Sequence, residues 1–190
     1  QWGVFSIAGP KSRNFLKKIV VSEDPDQTLS NKKFPWLSYR DIEIGMCPVR
    51  ALRVAYTGEL GWELHHPIEM QNYLLDILLS SGKEFNLKLV GARAQNWLRQ
   101  EKSYKAFGSD LGRDAGPFES NLSRFVDINK NFLGKDALLK RKTDVSCVTL
   151  LIDGPKDIDP WGREALYNET EEVMLGRLTS AGYSVHFKRS

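Results

Sequence analysis

Apolar residues Val4, Phe5, Ile7 and Ala8 open the chain as a short run closed by Gly9-Pro10, which predicts a buried strand and a turn. Ser12 then stands where a helix N-cap is preferred, with Phe15, Leu16, Ile19 and Val20 at helical spacing behind it. Residues 22–36 are polar with two prolines and predict a loop. Ile42 and Ile44 alternate with Asp41 and Glu43, the period of a strand, and Gly45 ends the run. Leu52, Val54 and Tyr56 alternate with Arg53 and Ala55, and the chain resumes at Trp62 after a glycine-bounded loop, which predicts a hairpin. Beyond Met70, the residues Tyr73, Leu74, Ile77 and Leu78 fall on one helical face, and Gly82 supplies a stop. A short strand is predicted at 87–90 and a helix from Ala92 to about Lys102, with Ala94, Trp97 and Leu98 inward.

Residues 108–120 are rich in glycine and charge and predict a loop, and a short helix follows around 136–141. From Cys147 the periods change to short apolar runs divided by turns, at 148–152, 164–167 and 173–180. The expected fold class is therefore α+β: a unit over residues 1–143 with the split β-α-β order of a ferredoxin-like core, then the start of a small β unit over 144–190. Strand-like runs at both ends make the chain read as part of a longer protein.

Composition narrows the class without naming it. A chain of 190 residues with 41% hydrophobic side chains can bury a core. No apolar run approaches the roughly 20 residues of a membrane span, so no membrane partner is expected. The 27 basic and 24 acidic residues leave a formal charge of +3, with the signs interspersed, which argues against nucleic acid. Cys47 and Cys147 lie far apart in no metal or redox spacing, as suits packing residues in a reducing compartment. The tandem His65-His66 faces opposite sides of a strand and has no third ligand at metal spacing, so no metal site is expected. Asp110, Asp114 and Asp127 show no partner spacing that marks acid–base work.

The most informative stretch is Tyr56-Thr57-Gly58-Glu59-Leu60-Gly61-Trp62-Glu63-Leu64. By spacing alone it is a hairpin, with glycines for the turn and Glu63 paired with Arg53 or with solvent. The same stretch resembles the signature of the glycine-cleavage T-protein (aminomethyltransferase) family, and other segments resemble that family in the same order. Ile7-Ala8-Gly9-Pro10-Lys11-Ser12 is similar to its opening strand and Gly-Pro turn. Phe132-Leu133-Gly134-Lys135-Asp136-Ala137-Leu138 is similar to a later element. Asp159-Pro160-Trp161-Gly162 and Gly176-Arg177-Leu178-Thr179-Ser180-Ala181-Gly182-Tyr183-Ser184 are similar to its terminal barrel motifs. The run from Trp97 through Tyr104 to Gly108 resembles the branch fused to dimethylglycine and sarcosine dehydrogenases more than the free-standing T-protein.

The resemblance implies a ferredoxin-like central unit of a folate-binding fold followed by part of a small C-terminal β-barrel. It also implies tetrahydrofolate as cofactor, with FAD only in an upstream domain. The implied partners are a folate, an amine-borne one-carbon donor and the N-terminal remainder of the parent chain. By position in the motifs Glu63 matches the family's pterin-binding glutamate, and Tyr56 and Tyr104 match ring-contacting tyrosines. Gln95 stands where the T-protein branch has an anchoring arginine, which makes Arg93 the candidate substitute. The family's catalytic aspartate belongs to an N-terminal portion with no counterpart here, so no catalytic residue is assigned and the isolated chain is expected to be inactive. The implied compartment is the cytoplasm, or the mitochondrial matrix in a eukaryote. Two other readings stay open: a folate-binding regulatory or scaffold protein, and methyl transfer from a sulfonium substrate to folate.

Overall fold

The computed structural model describes residues 1–113, 115–141, 144–154 and 158–190. Asp114 and the first residue of the expected boundary at 143/144 lie outside that description. The fold is α+β with antiparallel sheets, and the chain divides into two compact units, Gln1–Ala92 and Arg93–Ser190.

In the first unit, β1 (Trp2–Ala8), β2 (Tyr39–Ile44), β3 (Cys47–Leu52) and β4 (Gly61–Pro67) form one antiparallel sheet in the order β1-β4-β3-β2. Helices α1 (Ser12–Ile19) and α3 (Gln71–Gly82) cover one face of it. Alternation makes that face: Val49 and Ala51 of β3 and Trp62 and Leu64 of β4 point inward. They meet Phe15 and Leu16 from α1, Leu74 and Leu78 from α3, and Leu29 and Phe34 from the segment between α1 and β2. Burying such side chains contributes roughly 1.5–3 kcal/mol each before entropy is charged against it.

Several elements differ from the sequence expectation, each for a local reason. Ser12 is the first residue of α1 instead of its cap, and its hydroxyl donates to the Gly9 and Leu60 carbonyls at 2.7 and 3.0 Å. The expected loop at 22–36 contains a one-turn helix α2 (Pro25–Thr28), started by Pro25 and capped by Asp24, whose carboxylate accepts from the Gln27 N–H at 2.9 Å. The third strand is β3 (Cys47–Leu52), so Val54 and Tyr56 belong to the connection after it. Both registers alternate apolar residues, and the earlier one puts Cys47, Val49 and Ala51 in the core. Gly82 is the last residue of α3 but not its stop. A 3₁₀ turn (Lys83–Phe85) follows, and Asn86 takes the left-handed conformation, φ 57°. Gly82 is small because Leu87 packs on it: a Cβ there would lie 2.7 Å from Leu87 Cβ. Residues 87–90 form no strand.

The second unit contains α4 (Ala92–Glu101, starting at the unit boundary), α5 (Lys135–Lys140) and a two-stranded antiparallel sheet of β5 (Ala165–Tyr167) and β6 (Met174–Arg177). The inward side of α4 differs from the expected one, since Ala94 is exposed, Trp97 and Leu98 are half-buried, and Arg99 is buried. Residues 148–152 form no strand, and the Ile152 N–H donates to the Ser190 carbonyl at 2.8 Å.

Candidate functional site

Because Trp62, Leu64 and His66 fill the core side of β4, the intervening Glu63 and His65 must stand on the opposite face of the sheet. Register places Glu63 across from Ser6 on β1 and from Leu52 on β3, and His65 across from Val4 and Arg50. The hairpin that presents Glu63 is locked where it begins. A Cβ on Gly61 would come within 2.5 Å of the Ile7 carbonyl oxygen, so glycine alone lets β4 approach β1 there. The Gly9 N–H donates to the Leu60 carbonyl at 2.8 Å and closes the same corner.

The Glu63 carboxylate is held from one side. Its Oε2 lies 3.2 Å from His65 Nε2, both side chains are about one-third exposed, and Oε1 has no partner among the described residues. A carboxylate only accepts, so Nε2 is the nitrogen that carries the proton. Arg53 is engaged elsewhere, donating to the Phe34 carbonyl at 2.6 Å, with its pKa lowered by burial and by the nearby Arg13. Arg50, across from His65, forms a bidentate pair with Asp41 at 2.9 and 3.1 Å that lowers the aspartate pKa. Trp2, Val4 and Tyr39 stay exposed on this same face of the sheet.

Tyr56 opens the turn leading into β4 and is 37% exposed. Since it lies in a turn, the strand alternation that would set it opposite Glu63 does not apply. His65 and His66 do face opposite ways. His66 is buried, stacks on Phe5 at 4.9 Å and is bonded through Nδ1 to the Leu64 carbonyl at 3.0 Å. Among the described residues no three His, Cys, Asp or Glu side chains form a metal-binding group.

The other two candidates belong to the second unit. Arg93 is exposed, donates to Asp159 Oδ2 at 2.5 Å and lies over the Trp97 and Trp161 rings at 5.0 and 5.6 Å. Tyr104 is half-buried, and both ends of its peptide are bonded to Arg99: its N–H donates to the Arg99 carbonyl at 2.9 Å, and its carbonyl accepts from Arg99 Nη1 at 2.8 Å. The sequence reading passed over Arg99, whose Nη1 meets Asp110 Oδ2 at 2.5 Å with both side chains under 5% exposed. Asp110 also accepts from the Ala106 N–H at 2.9 Å and from the Thr179 hydroxyl at 2.5 Å. Sequence pattern offers no signal for it, because the positions three and four residues away, Gln95 and Asn96 on α4 and Lys102 and Ser103 just after it, are all polar.

Residues 1–130 match the family described as the GCVT N-terminal domain, and the chain belongs to that family. It is 38% identical over 197 residues to mitochondrial dimethylglycine dehydrogenase of Mus musculus, a match covering 100% of this chain and 22% of that protein. It is 30% identical over 187 residues to mitochondrial sarcosine dehydrogenase of the same species, covering 97% of the chain and 20% of that protein. An aminomethyltransferase of Caldanaerobacter subterraneus is 38% identical over 138 residues, 72% of the chain and 35% of that protein. The chain thus spans about a fifth to a third of these relatives. No helix among its described residues is long and apolar enough to cross a membrane.

Proposed function

We propose that this chain is the tetrahydrofolate-binding part of a one-carbon transfer protein of the dimethylglycine or sarcosine dehydrogenase type. The observation carrying the reading is the Glu63 carboxylate, half-buried, anchored on one oxygen and open on the other, on a sheet face that also carries exposed apolar side chains. A pterin presents a ring N–H beside an exocyclic amine, and a carboxylate accepts both as a charge-assisted bidentate pair. Oε1, together with the second lone pair of Oε2, supplies that acceptor set. Tetrahydrofolate, when bound, supplies the nitrogen that receives the one-carbon unit.

In this reading Tyr56 and Tyr104 contact the pterin ring, the backbone of the latter being held by the two Arg99 bonds. Arg93, which donates to Asp159 Oδ2, is the further folate-binding candidate of this reading. The first unit's sheet is assigned to the family's ferredoxin-like core, and the β5-β6 pair to the start of the terminal barrel, with a functional boundary at 143/144. The family match ending at residue 130 supports a division in this region. An amine-borne donor, any FAD-bearing domain and the acid–base aspartate are assigned to the rest of the parent protein, so the chain alone is inactive. The mitochondrial names of the dehydrogenase relatives support a mitochondrial location for a eukaryotic source, within which this reading assigns the matrix.

Glu63→Gln in the full-length parent tests the reading, because it keeps size while turning one acceptor into a donor that confronts a ring donor. Losing a hydrogen bond to a charged group costs roughly 1.5–3 kcal/mol, so calorimetry with folinate, a stable reduced folate, should show affinity reduced roughly ten- to a hundredfold. Equal affinity in two forms of equal Tm would remove Glu63 from the site.

A further inference from the structure

We infer that His65 is a positioning residue of the folate site, holding the Glu63 carboxylate in the orientation that receives the pterin; the inference rests on the folate reading above. Three observations lead to it. First, residues two apart on a strand share a face, so Glu63 and His65 are neighbours by construction of β4, and their side chains meet at 3.2 Å. Second, the histidine is the carboxylate's only partner among the described residues. Without it, a three-torsion glutamate side chain on an open sheet face would sample several rotamers, and fixing one of them would be charged against binding.

Third, the neighbouring cation that otherwise offers itself is occupied. Arg50, across from His65 on β3, is held by both oxygens of Asp41 and packs over Tyr39 at 5.3 Å. The Arg53 guanidinium is directed to the Phe34 carbonyl. The imidazole also matches the task better than a lysine would. Its Nε2–H occupies one lone pair of Oε2, and the short two-torsion side chain loses little freedom in doing so. The other lone pairs remain for a bidentate ligand. His65 therefore acts through Glu63 and needs no contact with the folate.

A double-mutant cycle on the full-length parent, titrated with folinate, tests this. His65→Phe keeps a flat ring but removes the donor, and should weaken folinate binding roughly three- to tenfold, the range for ordering one side chain on binding, without lowering the Tm. His65→Gln places an amide donor near the Nε2 position and should restore most of the affinity. In a Glu63→Gln background, His65→Phe should cost nothing further, because the group it orients is gone. Unchanged affinity in His65→Phe, failure of His65→Gln to rescue, or an undiminished effect in the Glu63→Gln background would each overturn the inference. In all three cases the weak binding of Glu63→Gln alone would leave the folate reading standing. If Glu63→Gln itself bound normally, the folate reading would fail and this inference with it. Should His65→Phe lower the Tm, His65→Asn, whose amide is too short to reach, takes its place with the same expectations.

Discussion

Replacing Asp110 by asparagine is an informative perturbation of the second unit, because bonds from several separate segments of it meet at this carboxylate and its partner Arg99. Asp110 Oδ2 meets Arg99 Nη1 at 2.5 Å and the Ala106 N–H at 2.9 Å, and Oδ1 accepts from the Thr179 hydroxyl at 2.5 Å. Arg99 spends its other donors on the Tyr104 carbonyl, Asn96 Oδ1 and the Ser180 hydroxyl. With both side chains under 5% exposed, the asparagine variant leaves a buried guanidinium without a counter-charge and turns one acceptor into a donor that faces donors. Removing one partner of a buried pair costs about 3–5 kcal/mol. For a unit of about this size each kcal/mol moves the Tm by roughly 4–8 °C, so the transition of the second unit should fall by at least about 12 °C. Thermal melts followed by far-UV circular dichroism on both forms measure it. Replacing the pair together, as Arg99→Met with Asp110→Leu, should cost less than the sum of the single changes. A loss under about 1 kcal/mol in Asp110→Asn would refute the reasoning, since that is what an exposed pair costs.

The same carboxylate predicts the acid limb. Burial pushes the Asp110 pKa up, but the Thr179, Ala106 and Ser180 hydrogen bonds and the Arg99 charge outweigh it, and the net direction is downward. The unfolded chain therefore takes up the proton first. The contribution to stability is complete above the ordinary aspartate value of about 3.9 and is lost as pH falls through the lower folded value. Denaturant midpoints measured from pH 6 downward should drop more steeply in the parent than in Asp110→Asn, and parallel curves would contradict this.

Two further outcomes test the first unit. Gly45→Ala places a side chain at φ +58° with its Cβ 2.5 Å from the Tyr73 hydroxyl, which itself accepts from the Met46 N–H at 3.1 Å; melts should show a loss of about 1–3 kcal/mol, and an unchanged midpoint would mean the β2-β3 turn is not held as described. Leu64→Ala empties a fully buried position between β1 and β3 and should cost about 2–5 kcal/mol by urea titration, with the folinate affinity of the surviving folded full-length protein retained.

Local pattern carried much of the architecture. The alternation of Trp62, Leu64 and His66 with Glu63 and His65 is readable along β4, and the face of Glu63 follows from it without any tertiary knowledge. The one-sided apolar spacing of Tyr73, Leu74, Ile77 and Leu78 places α3 equally directly. The strand before the hairpin was misplaced because residues 47–52 and 52–56 both alternate, and only packing against Phe15, Leu16 and Phe34 selects the earlier register.

What the sequence by itself determined is therefore the set of elements whose period repeats over several residues, the family that residues 1–130 match, and which face of the sheet Glu63 and His65 occupy. What only the tertiary structure decided is which polar side chains find each other. Whether Glu63 pairs with Arg53 or with His65 depends on where the Phe34 carbonyl lies, and that carbonyl comes from a segment nineteen positions before Arg53. Arg99 and Asp110 are eleven positions apart and take bonds from Thr179 and Ser180, far along the chain. Hydrophobic periodicity is a local consequence of backbone geometry and can be read from neighbours. A hydrogen bond depends on distance and direction between atoms that folding alone brings together.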